Sequence, residues 1–262
     1  SRRRDQYEKM AIQQKMTISD LQKRIRDDEV ARREDERTKF GFDLKEKNVW
    51  SFDAPDPRFG KAGHRGRLAG QIVANALFYY TGKGSVIVDP MAGSGTTGDV
   101  VESVAHFGDR TVKMYDIEPS DPRIVRANVL QTGIPEQSGS ADYVFLDPPA
   151  DFYPREEGEE VSASAAKAEA MMKFKPLVRE SVRILKGGGR VSVVVEAASG
   201  AFGVVDFPFE VGLLMKELGL HAVGKVYLPR RTEPSRPKVH TSAAEIRPMV
   251  SECRELLTFQ KP

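Results

Sequence analysis

The sequence predicts an α/β sandwich on a mostly parallel sheet, preceded by a charged helical extension. Three observations lead there. From Trp50 onward, short apolar strands alternate with helical stretches. A glycine-rich turn, Gly93-Ser-Gly95-Thr-Thr-Gly98, stands between a strand and a helix. Residues 1–47, in contrast, carry dense mixed charge, no proline and no glycine before Gly41.

In the extension, Ile18, Leu21 and Ile25 keep helical spacing, with Thr17 or Ser19 suited to cap the start. Ala31–Lys39 has no apolar stripe, so one or two exposed helices are expected here. Beyond it, Val86–Val88 reads as a strand and Thr97–Val104 as a helix. Thr111–Tyr115 is a second strand, and Tyr143–Leu146 a third that ends in Asp147-Pro148-Pro149. Ala163–Leu185 reads as a long helix broken near Pro176. Val191–Val195 is a strand and Val211–Leu218 a helix. Val223–Leu228 and Leu256–Phe259 form a closing pair of strands. The division falls into 1–47 and 48–262.

Composition limits the function. At 262 residues, 40% apolar and 30% charged, the chain is long enough for one large domain with an appendage. No apolar run reaches the ~18 residues of a membrane span, and the start lacks the apolar core of a secretory signal. One cysteine, Cys253, excludes an internal disulfide framework and a cysteine-built zinc site. A reducing compartment follows. His64 and His240 have no neighbours that complete a ligand set, so no metal is expected. The net charge of +2 does not by itself argue for nucleic acid. An anionic partner needs a local basic patch, and Arg230, Arg231, Arg236 and Lys238, with His240, supply one in a proline-rich loop.

The glycine turn runs Asp89-Pro90-Met91-Ala92-Gly93-Ser94-Gly95-Thr96-Thr97. Glycines let the backbone turn tightly and approach a ligand, and the following helix offers free N–H groups. Asp116 ends the next strand, where a doubly wound fold places the carboxylate that accepts ribose hydroxyls. Together they indicate a nucleoside-containing cofactor. A phosphate-binding Walker loop would need a lysine that Gly95-Thr96-Thr97 lacks. The spacing also formally fits a dinucleotide site.

Asp147-Pro148-Pro149 narrows the choice. Consecutive prolines stiffen the loop. The Asp147 carboxylate and Pro148 carbonyl become fixed acceptors, suited to the two N–H donors of an exocyclic amine. Held there, the nitrogen lone pair leaves ring conjugation and can attack an electrophilic methyl group. Positioning then carries most of the rate.

Asp89–Thr97 and Asp147-Pro-Pro149 together resemble the S-adenosylmethionine-dependent DNA amino-methyltransferases, which methylate adenine N6 or cytosine N4. The resemblance covers about residues 48–262. It implies a Rossmann-like methyltransferase: a seven-stranded, mostly parallel sheet, helices on both faces and a closing antiparallel strand. It further implies that Asp89–Thr97 forms the cofactor loop, with Asp116 and Ile117 at the ribose and adenine and with Asn128 and Val129 beside the adenine. Phe59–Arg67 with Gln71 looks like the family's element for the methionine end, where Arg67 would meet the carboxylate. Asp147, Pro148 and Pro149 would clamp the target amine. The implied partner is DNA, through base flipping if duplex, in a cytoplasmic, prokaryotic or phage-like, nucleoid-associated setting. The motif order also resembles methylase domains attached to partition-protein-like modules. Residues 1–47 would then be a linker, or an arm for a homodimer or partner module.

Two departures stand out. The family carries an aromatic after the two prolines that stacks on the base; here it is Ala150, so Phe152 or Tyr153 is expected to substitute. No large target-recognition domain is evident, and residues 154–175 are acidic and Ala/Ser-rich. Adenine N6 is preferred over cytosine N4 on the Asp-Pro-Pro form. The competing readings are an RNA methyltransferase of the same fold, a weakened cofactor- and DNA-binding module, and a nicotinamide dehydrogenase.

Overall fold

A computed structural model describes residues 2–61, 63–64, 68–153, 162–200, 203–229 and 253–262. Arg67, Arg230, Arg231, Arg236, Lys238 and His240 lie outside the described residues. The chain forms two compact units, Ser1–Leu44 and Lys45–Pro262. The division comes a few residues before the expected one because Lys45 is tied to the larger unit: its N–H donates to Asn75 Oδ1 at 2.6 Å, and its carbonyl accepts from Tyr79 at 2.6 Å.

The first unit is a pair of helices, α1 (Arg2–Gln13) and α2 (Ile18–Phe40). Of the two expected caps, Thr17 is the one used. Its hydroxyl accepts from the Asp20 N–H at 3.1 Å, while the Asp20 carboxylate accepts back from the Thr17 N–H at 3.3 Å. Tyr7 donates across the pair to Asp28 at 3.2 Å.

In the second unit the order is α3 (Gly70–Tyr80), β1 (Val86–Asp89), α4 (Thr96–Ser103), β2 (Thr111–Asp116), β3 (Ile124–Arg126), α5 (Val129–Thr132), β4 (Ala141–Leu146), α6 (Ala163–Ile184), β5 (Leu185–Val195), β6 (Ala198–Gly200), β7 (Gly203–Val205), α7 (Phe207–Glu217), β8 (His221–Pro229) and β9 (Cys253–Gln260). The main sheet has seven strands in the order β3-β2-β1-β4-β5-β9-β8. The first five pair in parallel, and β9 runs antiparallel to both β5 and β8. This is the seven-stranded, mostly parallel sheet with a closing antiparallel strand expected from the sequence. β6 and β7 make a separate short hairpin.

Alternation along the strands sorts the two faces. Val144 and Leu146 of β4, with Val191, Val193 and Val195 of β5, share one buried cluster with Phe174 and Leu177 of α6 and Val211 of α7. Tyr143 points the other way and stacks on Tyr80 of α3 at 6.4 Å. Behind that layer, α3 packs on α4. Ser192 and Thr258, buried side by side, share a hydrogen bond of 2.7 Å.

The expected break at Pro176 does not occur: α6 runs through it to Ile184. A helix-interior proline costs about 3 kcal/mol. Burial of Phe174, Leu177, Val178 and Ile184 on one face offsets that cost. Leu185 then caps the helix and begins β5 with no intervening loop.

Phe59 is held against the start of α3 by close packing at Gly70, where an added Cβ would lie 2.3 Å from the Cβ of this fully buried ring. Gly70→Ala should therefore lower stability by about 1–3 kcal/mol. Urea denaturation of the variant beside the wild-type chain checks this.

Candidate active site

β1 and β4 are neighbours, with Ile87 opposite Tyr143 and Val88 opposite Val144. The connection order reverses between them, so the loops after both strands flank the crevice at the carboxyl edge. A cavity of about 630 Å³ opens there. The glycine turn and Asp147-Pro148-Pro149 line it together.

The turn is shaped by its own chemistry. Asp89, at the end of β1, accepts from the Met91 N–H at 3.1 Å and from the Thr97 hydroxyl at 2.5 Å. These bonds fold residues 89–97 back on themselves and start α4. Gly93 and Gly95 sit at φ +52° and +87°, a region that side chains strain. An added Cβ at Gly93 would stand 3.0 Å from His64 Nε2, so the turn also depends on a close approach. Burial is the main cause that pushes the Asp89 carboxyl up to about 7, against the two hydrogen bonds that lower it.

Asp116 braces the same turn. One oxygen accepts from the Gly93 N–H at 2.8 Å, the other from the Glu118 N–H at 2.9 Å. A carboxylate has about four lone-pair sites, so both oxygens keep acceptor capacity. Ile117, Glu118, Asn128 and Val129 line the cavity alongside it. Ile117 is 57% exposed, an apolar side chain left open at the rim. Lys61 N–H donates to Ser94 Oγ at 3.3 Å and Ser120 Oγ to the Gly93 carbonyl at 3.1 Å, so loops on either side fix the turn.

Two expectations need correction. Gln71 does not line the cavity. It is 3% exposed on α3, and its amide donates to the Ala54 carbonyl at 2.7 Å, holding the preceding segment. Phe152 reaches the cavity but is 2% exposed, with its ring edge-on to Phe174 at 5.2 Å. A ring embedded in the core is a wall, not a free stacking platform. Tyr153 is half-buried, packed against Phe174 and Phe207 at 5.9 and 5.4 Å. Burial raises its hydroxyl above the usual phenol range. Ala150 is exposed in the turn that follows the prolines.

Pro149 spends its carbonyl on the Phe152 N–H at 2.9 Å. Asp147 is partly buried, and burial lifts its carboxyl to about 6, with Arg254 opposing and Glu196 adding to the shift. Sequence reasoning did not assign Arg254 or Glu196 to the site. Both line the cavity, from β9 and from the end of β5. Among the described residues, no group of three or more His, Cys, Asp or Glu could hold a metal ion.

Raised carboxyls make stability pH-dependent. Asp89 would ionise at 3.8 in the unfolded chain but at about 7 when folded, so the folded state binds more protons between those values. Stability then falls as pH rises through that window, and Asp147 adds in the same direction. The melting temperature should drop between about pH 4 and about pH 7, and Asp89→Asn should remove about half of the drop or more. Thermal melts across this range check it. Asp116→Ala should also loosen the turn and weaken nucleoside-ligand binding about tenfold or more, while Glu118→Gln costs less. Isothermal titration with S-adenosylhomocysteine checks the pair.

No family model matches the chain, and no curated protein is significantly similar to it. Solved structures do resemble it. The 1,6-didemethyltoxoflavin-N1-methyltransferase of Burkholderia thailandensis, solved with S-adenosylhomocysteine, is 16% identical over 76% of this chain and 79% of that one, with a TM-score of 0.46. TrmN of Thermus thermophilus is 16% identical over 77% of this chain and 51% of that one, with a TM-score of 0.45. A candidate DNA modification methylase, also of Thermus thermophilus, is 18% identical over 51% of this chain, with a TM-score of 0.36, and the match spans 49% of its length.

Proposed function

We propose that the Lys45–Pro262 unit is an S-adenosylmethionine-dependent methyltransferase that acts on the exocyclic amine of a DNA base, adenine N6 before cytosine N4. The observation that carries the reading is the meeting of the glycine turn and Asp147-Pro148-Pro149 in one cavity at the switch point of the sheet.

The residues present fit the cofactor. The cavity is in the size range of small-molecule sites. The turn and the start of α4 provide a backbone cradle that a Cβ at Gly93 would fill. Asp116 and Glu118 would accept the ribose hydroxyls, and Ile117 and Val129 would flank the adenine. His64 is the described residue from the 59–67 segment that lines the cavity. Bound there, the cofactor supplies an electrophilic methyl group.

The rest is done by the chain. Asp147 and the Pro148 carbonyl accept the two N–H bonds of the target amine and hold its lone pair out of ring conjugation. The prolines keep the acceptors fixed, so little is lost to reorganisation during transfer. Tyr153 and Phe152 form an aromatic wall next to the amine site, and Ala150 leaves the face above it open. Residues 1–44 are assigned to an arm that joins the domain to a partner module or a second copy.

DNA incubated with the protein and S-adenosylmethionine should yield N6-methyl-2′-deoxyadenosine as the nucleoside product by mass spectrometry. Asp147→Asn should lower turnover by about 10²-fold or more while leaving cofactor affinity within about threefold. Cofactor binding without transfer to DNA or RNA would instead support the weakened binding module that Ala150 favours. Full turnover by Asp147→Asn would remove the amine clamp.

A further inference from the structure

The closing strand delivers a cation to the substrate end of the cavity. β9 runs antiparallel to β5 with Glu255 opposite Val195. The next step outward brings Arg254 to the level of Glu196, just past the end of β5. Both residues line the cavity with Asp147. Arg254 Nη1 stands 3.6 Å from Asp147 Oδ1, an ion pair too long for a hydrogen bond. The side chains are 25% and 21% exposed, so water screens the pair poorly. Arg254 Nε is buried and has no hydrogen-bond partner among the described residues. A buried donor left without a partner costs stability, while a terminal nitrogen of the same guanidinium stands in an ion pair with Asp147.

We propose that Arg254 is a positioning residue for the methyl transfer, holding the Asp147 side chain as an oriented carboxylate against the opposing charge of Glu196. This rests on the methyltransferase reading above. The groups facing Asp147 are Arg254 from β9, Glu196 from the end of β5, Tyr153 from the loop after the prolines and Asp89 from β1. Asp147 binds the amine as an acceptor. Once it takes up a proton, near pH 6 in the folded chain, one oxygen becomes a donor facing the amine's own N–H. Arg254 opposes that protonation and Glu196 promotes it, so neutralising each must move the acid limb of activity in opposite directions. A residue that merely packed would not produce opposed shifts.

The test uses the full chain, S-adenosylmethionine with a labelled methyl group and duplex DNA, with kcat/KM measured across pH. Arg254→Gln should move the acid-limb midpoint up by about one pH unit, and Glu196→Gln should move it down. Arg254→Lys, which keeps the charge, should stay near the wild-type midpoint. The Asp147 carboxyl is followed in parallel by carbon-13 NMR, with its signal assigned through Asp147→Asn, and its midpoint should shift the same way in each variant. Transfer with unmoved midpoints in both glutamine variants overturns the positioning role and leaves the methyltransferase reading standing. Absence of transfer in the wild-type chain overturns that reading, and the NMR midpoint still decides whether Arg254 governs Asp147. A shared loss of melting temperature with no midpoint shift would assign Arg254 to packing and overturn the proposal.

Discussion

The pairing of β1 with β4 is the constraint on which the site depends. Val88 lies opposite Val144, so Asp89 and Asp147 leave the sheet from adjacent strands at one edge. A slip of one residue would turn Tyr143 away from Tyr80 and drive Val144 out of the cluster with α6. Register is therefore held by the two faces of the core. The loops inherit their positions from it and need no contact with each other to be brought together.

Charge in the cavity follows from the same geometry. Asp89, Asp116, Glu118, Asp147, Asp151 and Glu196 all line it, together with Arg254 and His64. Such a wall favours a cationic or hydrogen-bond-donating ligand and opposes bare phosphate. For the proposed substrate, the base can enter while the DNA backbone stays outside. Backbone contacts must then come from elsewhere on the chain. Each acid is held differently: Asp116 by backbone N–H groups, Asp89 by burial with Thr97, Asp147 by an ion pair.

Much of this was legible in the sequence because it is local. β1 and β4 are short apolar runs, Asp89 and Asp116 end β1 and β2, Asp147 directly follows β4, and the glycines at 93 and 95 mark a turn that only a positive φ allows. β3, three residues long, and the hairpin of β6 and β7 are too short to leave a period. Pro176 misled because propensity is overridden when one helix face is deeply buried. Phe152 and Gln71 misled because their spacing gives proximity in sequence and says nothing of whether a side chain faces core or cavity. Arg254 and Glu196 had no local signal at all. They meet through strand register across more than fifty intervening residues, and no motif spans that distance.

The position of β9 has a consequence for how the molecule is put together. β8 has β9 as its strand neighbour in the sheet, yet β9 comes later in the chain and must insert between β8 and β5. Without β9 the parallel strands would end at an open margin on β5, and β8 would keep its bridge to Val49 and its packing against α7 but have no strand neighbour in the main sheet. The guanidinium that faces Asp147 arrives with that last insertion. The residues of the glycine turn and the proline loop thus leave the ribosome ahead of the arginine that completes the charge of the pocket.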